Sequence, residues 1–334
     1  MGLPPFLFRP KLVKKIWGGR RLENLLGKEL PAEGRYGESW EVSAHPGDET
    51  PAVFPREHTG KTIPELAREL KEDFLGAAWQ EAAEGGFPLL YKFIDAEDVL
   101  SVQVHPDDDY ARRDHDNGKT ECWVIVATRP GSLIYRGFKE GTDLALFDRL
   151  LAAGRLEECL HSFTVEPGDV IFLPAGTVHA IGAGILLAEI QQSSDLTYRV
   201  YDWNRLEDGK PRPLHVEKAR EVMRFQRPER DKEEPRLLAE LPSRGSYEEL
   251  VRCEKFVLER LACSAGTPGE LGRKEEGRFS IFSVLEGRGR LEWRDSAEPV
   301  TLARGQSFIL PAALATPTVK AEERLVALHA YVPA

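Results

Sequence analysis

Thiols are scarce and long apolar stretches are missing from this sequence of 334 residues. Its four cysteines, Cys122, Cys159, Cys253 and Cys263, are scattered and none stands in a C-x-x-C pair. Cys253 and Cys263 could meet across a hairpin, but free thiols in a reducing cytoplasm are the expectation. No apolar run approaches the roughly 20 residues that span a bilayer, so no membrane partner is expected. The start, MGLPPFLFRPKLVKKIW, lacks a signal-peptide core and the small polar residues of a myristoylation site. Basic residues are outnumbered, giving a formal charge of −10, which argues against broad nucleic-acid binding. An anionic ligand would need a local cluster of cations set against that field. G-x-S-x-G, Walker and G-x-G-x-x-G sequences are absent too. The usual signs of an acyl-transfer elbow, a P-loop and a Rossmann dinucleotide site go with them.

What is present is a β pattern with helical islands. Many short alternating runs, bounded by turn residues, suggest sandwiches or barrels. Residues 62–82 read as helix, with Thr62 as N-cap and Pro64 in the first turn. Residues 143–160 read as two short helical pieces broken near Gly154, and PLHVEKAREVMRF as another short helix. QRPERDKEEPRLLAELPSRG reads as a linker or exposed crossover, and the basic runs KLVKK and GRR as solvated loop. A division follows, with one domain over 1–240 and a smaller one over 241–334. A weak repeat connects them: VEPGDVIFLPAGTVH at 165–179 parallels LARGQSFILPAALAT at 302–316. The first copy has Gly176 and His179 where the second has Ala313 and Thr316.

The stretch SVQVHPDDDYARRDHDNGKTECW, residues 101–123, is chemically the most pointed. Residues two apart on a strand share a face, so Ser101, Gln103 and His105 project together, and Lys119 and Glu121 repeat that spacing. Polar groups gathered on one face are either solvated or occupied.

Gly168 to His179 fits G-x5-P-x-G-x2-H and resembles the second motif of the cupin superfamily. QVHP at 103–106 and KTE at 119–121 resemble type I mannose-6-phosphate isomerases, in which a glutamine replaces one cupin histidine. WGG, ESWEVSAHP, LLYKFIDA and SSDLTYRVYDW fit in the same order, with the compact spacing of the short bacterial branch. The resemblance implies a mainly β fold of two cupin, double-sheet barrels, with a few helices inserted in or flanking the first. The second barrel would be degenerate and without metal ligands.

For function it implies a metal-dependent aldose–ketose isomerase interconverting mannose 6-phosphate and fructose 6-phosphate, active as a monomer or homodimer. Gln103, His105, Glu121 and His179 would hold one divalent ion. Nitrogen and oxygen donors without thiolate suit Zn²⁺, with Mn²⁺, Co²⁺ or Fe²⁺ as substitutes. Arg199 and Lys119 match the family's cations, Asp195 an acidic pocket residue placed to orient Arg199 or to shuttle a hydroxyl proton, and Glu38 an active-site glutamate. Lys92 and Ser101 match residues that contact the sugar phosphate. The base that takes the carbon-bound proton stays open among Glu38, a neighbouring histidine and a water activated by the metal. Trp17, Trp40 and Trp123 read as packing residues. Rival readings are a silent sugar-phosphate sensor, which would have lost a ligand or Arg199, and a cupin oxygenase or epimerase. An oxygenase would favour a histidine-rich iron site, unlike this set.

Overall fold

The computed structural model describes residues 3–207, 209–270, 277–293, 299–314 and 317–333. Two antiparallel sheets enclose the first barrel. One has six strands in the order Val170–Leu173, Glu121–Thr128, Ile185–Gln192, Leu89–Ala96, Tyr36–Val42 and Lys11–Gly19. The other has five: Tyr198–Tyr201, Val102–Val104, His179–Ile181, Leu133–Phe138 and Leu160–Thr164. Trp17, Ile94, Trp123, Ile125, Ile134, Ile171 and Leu187 fill the space between them. Strands Leu89–Ala96 and Ile185–Gln192 are buried along their whole length. Their second face packs in an apolar layer shared with Leu258, Ile281 and Leu328 of the other barrel, so alternate exposure gives way to continuous burial.

In the second barrel an eight-stranded sheet packs on a four-stranded one through Leu261, Phe282, Val284, Leu291, Phe308 and Val319. The larger sheet draws on both sides of residue 240. Phe6–Phe8 pairs with Ser307–Leu310 and also with Ala52–Phe54, which forms the edge. The opposite edge is Arg236–Leu241, paired with Gly245–Arg252. About a third of the charged crossover is therefore strand, because pairing at an exposed edge leaves its polar side chains in water. KLVKK is not loop either. It opens the strand Lys11–Gly19, whose alternation turns Lys15 inward. GRR runs from that strand's end into the helix Arg21–Leu26.

The helical pattern over 62–82 divides into Ile63–Leu75 and Trp79–Ala83. Thr62 and Glu65 form a reciprocal capping box at its start. Gly76 ends the first piece with φ of +61°, and a Cβ there would lie 1.8 Å from the Gly277 carbonyl oxygen, so the turn needs glycine. Helix Leu144–Ala152, capped by Asp143, the 3₁₀ turn Leu156–Cys159 and helix Val216–Val222 cover the outside of the five-stranded sheet. The repeat survives in backbone form: Gly168 and Gly305 share positive φ, 94° and 80°, each just before a strand that runs to the motif's proline. Thr316, at the place corresponding to His179, lies outside the described residues.

Candidate active site

Within the first barrel three inward side chains meet. A ligand atom from each of His105, Glu121 and His179 falls within 4.8 Å of the others, and all three residues are buried. His105 Nε2 lies 3.6 Å from Glu121 Oε2, and His179 Nε2 lies 3.3 Å from Glu121 Oε1. Each imidazole donates Nδ1–H to a backbone carbonyl, His105 to Leu196 at 2.7 Å and His179 to Thr177 at 2.9 Å. Since a carbonyl only accepts, the hydrogen sits on Nδ1 and the Nε2 lone pairs face the carboxylate, the arrangement of metal-ligating histidines. Burial pushes both imidazoles below their ordinary pKa, His179 to about 4, so both are neutral donors near pH 7. Burial and the Glu189 carboxylate push Glu121 upward, against the pull of Lys119 and Lys92.

His105 Nε2 and both Glu121 oxygens are buried without a hydrogen-bond partner. Such orphaned atoms are costly in a folded core, and a cation at their meeting point would satisfy all three. Gln103 stands directly opposite His179 in the ladder, its amide nitrogen 3.3 Å from His179 Nε2. A half-turn of that amide presents oxygen instead. The four residues thus fit a divalent ion with nitrogen and oxygen donors.

Beside this cluster lies a cavity of about 250 Å³. Glu38, Lys92, Ser101, Gln103, Lys119, Asp195 and Arg199, seven of the ten residues singled out from sequence, line it; the other three are the buried cluster behind Gln103. Five cations and three carboxylates face the space, an excess of positive charge in a chain that is strongly negative overall. Lys92 is buried in the wall of this space. It sits on a central strand, 3.0 Å from Glu189, with its ammonium 5.3 Å from the centre of the Trp40 ring. Burial alone would raise the Glu38 carboxyl, but the Lys92 and Lys15 cations and the Trp40 indole bring it down to about 2. Lys119 is buried 3.5 Å from Glu121. Arg199 donates to Ser101 Oγ at 3.3 Å and to the Pro213 carbonyl at 3.0 Å. The pairing expected between Arg199 and Asp195 is not formed. Asp195 is exposed at the cavity, tied by its backbone to Asp116, while the Arg199 guanidinium is held by Pro213 and Ser101.

A family model described as the type I phosphomannose isomerase catalytic domain matches residues 6–129. A mannose-6-phosphate isomerase of Streptococcus mutans is 34% identical over 327 residues, 97% of this chain and 98% of that one. One from Bacillus subtilis is 36% identical over 317 residues, 93% and 94% of the two chains. The chain belongs to the type I phosphomannose isomerase family. The crystal structure of the mannose 6-phosphate isomerase from Bacillus subtilis, 31% identical, superposes with a TM-score of 0.83 over 98% of this chain and 99% of that one.

The cavity also brings in residues not singled out from the sequence. Glu189 lines the cavity, pairs in register with both Lys92 and Trp123, and accepts from the Trp123 indole at 2.6 Å. A lone carboxylate inside the apolar run ILLAEI was the available signal, since charge is rarely buried without a task. Lys15 and Arg212 also line the cavity; Arg212 is held by two hydrogen bonds to Asp202, of 2.6 and 2.7 Å. Trp123 packs, as expected, but also fixes Glu189.

Proposed function

We propose that the chain isomerises mannose 6-phosphate and fructose 6-phosphate by proton transfer between C1 and C2 of the open-chain sugar. The observation that carries this reading is the convergence of His105, Glu121 and His179, with orphaned lone pairs, beside a cationic cavity of sugar-phosphate size. Gln103, His105, Glu121 and His179 would hold a divalent ion, Zn²⁺ being the best match to these donors, and it would supply Lewis-acid chemistry when bound. Removing a proton beside a carbonyl leaves negative charge on the two oxygens of an enediolate. Lys119 and Arg199 face the cavity with fixed positive charge, and being half-buried or buried they need little rearrangement to stabilise that charge.

Ser101, Arg199 and Arg212 would hold the phosphate, Arg199 and Ser101 being already joined by a hydrogen bond, and Lys92 is a further cation lining the same cavity. Glu38, ionised at any working pH, is a weak base, so its role is to hold a hydroxyl proton of the sugar while the carbon base is sought elsewhere. Asp195, at the exposed rim near Lys92, orients the substrate's hydroxyls. Every one of these groups comes from a single chain, so a monomer or a homodimer carries complete sites. Four free thiols, three of them buried, suit a reducing cytoplasm.

A coupled assay for fructose 6-phosphate formed from mannose 6-phosphate tests the reading, before and after chelation and after Zn²⁺ is restored. Loss and recovery of turnover are expected. Full turnover after complete metal removal overturns the ion's role, and absence of product from metal-loaded protein overturns the reaction.

A further inference from the structure

A second cationic cavity, of about 390 Å³, lies on the other side of the loop that delivers His179. Arg136, Arg224, Arg227 and Arg230 line it, against two carboxylates, Glu229 and Glu233. Arg136 is the buried member, 6% exposed. It donates to the Arg230 carbonyl at 2.7 Å and lies 3.5 Å from Glu233, yet its Nε is buried without a hydrogen-bond partner. Arg230 pairs with Glu234 at 3.6 Å, whereas Arg224 and Arg227 make no ion pair among the described residues.

The walls are anchored rather than loose. Arg224 N–H donates to Gly176 O at 2.9 Å, Phe138 N–H to Gln226 O at 3.3 Å, and Glu233 N–H to Val170 O at 2.9 Å. Asp231 meets His161 at 2.6 Å and Lys232 meets Asp169 at 2.6 Å. The Arg224 stem lies over Gly176, where an added Cβ would come within 3.1 Å of it. A cavity already held open by its backbone loses little entropy on binding. It also adjoins the metal-ligand cluster: Arg136 is directly opposite His179 in the ladder, and Thr177, a lining residue, accepts the His179 Nδ1–H. The substrate cavity shares none of these lining residues.

We propose that this arginine-lined cavity is a second anion site, for a phosphate-class dianion, separate from the substrate cavity. Planar guanidinium forks match phosphate oxygens two at a time, and a buried arginine with an unused donor gives the site its floor. The space admits inorganic phosphate or a small phosphate ester.

Calorimetric titration of metal-loaded, full-length protein with inorganic phosphate tests this. Two phosphates per chain are expected for the wild type and one for R224Q/R227Q, whose remaining site is the substrate cavity. Binding at the arginine cavity should weaken by about tenfold or more, the loss expected from two charge-assisted hydrogen bonds. R199Q should show the opposite loss. Both altered positions in R224Q/R227Q are exposed, and an unchanged Tm verifies its fold. Sorbitol 6-phosphate, run in parallel, separates sources: two sites mean that esters enter, one site lost with R199Q means free phosphate alone. Two undiminished phosphate sites in R224Q/R227Q, or a single wild-type site lost only in R199Q, overturns the proposal. Failure of the isomerase assay leaves this count untouched.

Discussion

Lys92 and Glu189 lie directly opposite one another on adjacent strands and join through a 3.0 Å ion pair with side chains only 5% and 3% exposed. Ninety-seven positions separate them in sequence, and the ladder makes them neighbours at the wall of the cavity. Burial alone would lower the Lys92 ammonium, and the Glu189 and Glu38 carboxylates reverse that and hold it charged.

Breaking such a pair from one side leaves an uncompensated buried charge, which costs about 3–5 kcal/mol. Lys92→Met and Glu189→Leu should each lower stability to urea by roughly that amount. The double variant should lose well under the sum, since both charges leave together. Strictly additive losses would show that the two residues do not act as a pair.

Glu38 supplies a pH signature. Its carboxyl is lowered to about 2 in the fold, against about 4.3 when unfolded. Its contribution to stability is therefore fully present above about pH 4.3 and declines as pH falls toward 2. The whole effect is at most about 3 kcal/mol. Urea denaturation of wild type and Glu38→Gln should show a gap that is constant above pH 5 and narrows below it. A gap that widens on acidification contradicts the assignment.

His179→Ala removes one imidazole from the buried cluster while leaving the Thr177 carbonyl at the barrel wall. Purified variant should carry little metal by elemental analysis, with a far-UV spectrum like wild type and turnover down by at least about a hundredfold, as when a metal ligand is lost. Metal content equal to wild type would take His179 off the ligand set.

A polar knot in the second barrel offers a control. Glu259 is buried and accepts from Tyr247, from Tyr331 at 3.0 Å, and from His329 Nδ1 at 3.0 Å. Tyr331→Phe deletes one of these bonds and should cost about 1–2 kcal/mol in thermal unfolding. Its kcat should match wild type, because the knot lies outside the first barrel. A large fall in kcat with unchanged stability would place the second barrel in the chemistry.

Much of this site was legible because its chemistry is written in short spacings. Gln103 and His105 sit two apart, Lys119 and Glu121 two apart, and the run from Gly168 to His179 is contiguous, so periodicity put each pair on one face and the resemblance of these short motifs to the family pointed them inward. Glu189 was not legible that way. Its inward direction depends on the register with Lys92 and Trp123, and register across 66 or 97 residues leaves no local pattern. Lys15 hid for another reason: a basic run looks the same in a loop as in a strand whose alternate residues enter a cavity. Asp195 was placed near Arg199 because four residues separate them. Each found a different partner, Asp116 for one and Pro213 for the other, so nearness in sequence did not become contact.

Phe6–Phe8 is sewn between Ser307–Leu310 and Ala52–Phe54, in the larger sheet of the second barrel. The first barrel therefore has no clean excision point. Deleting residues 242–334 would strip this early segment of one neighbour and lay bare the apolar layer behind Leu89–Ala96, so the isolated amino-terminal piece should aggregate rather than work as a smaller enzyme. The second barrel serves, in this arrangement, as the permanent cover of the first.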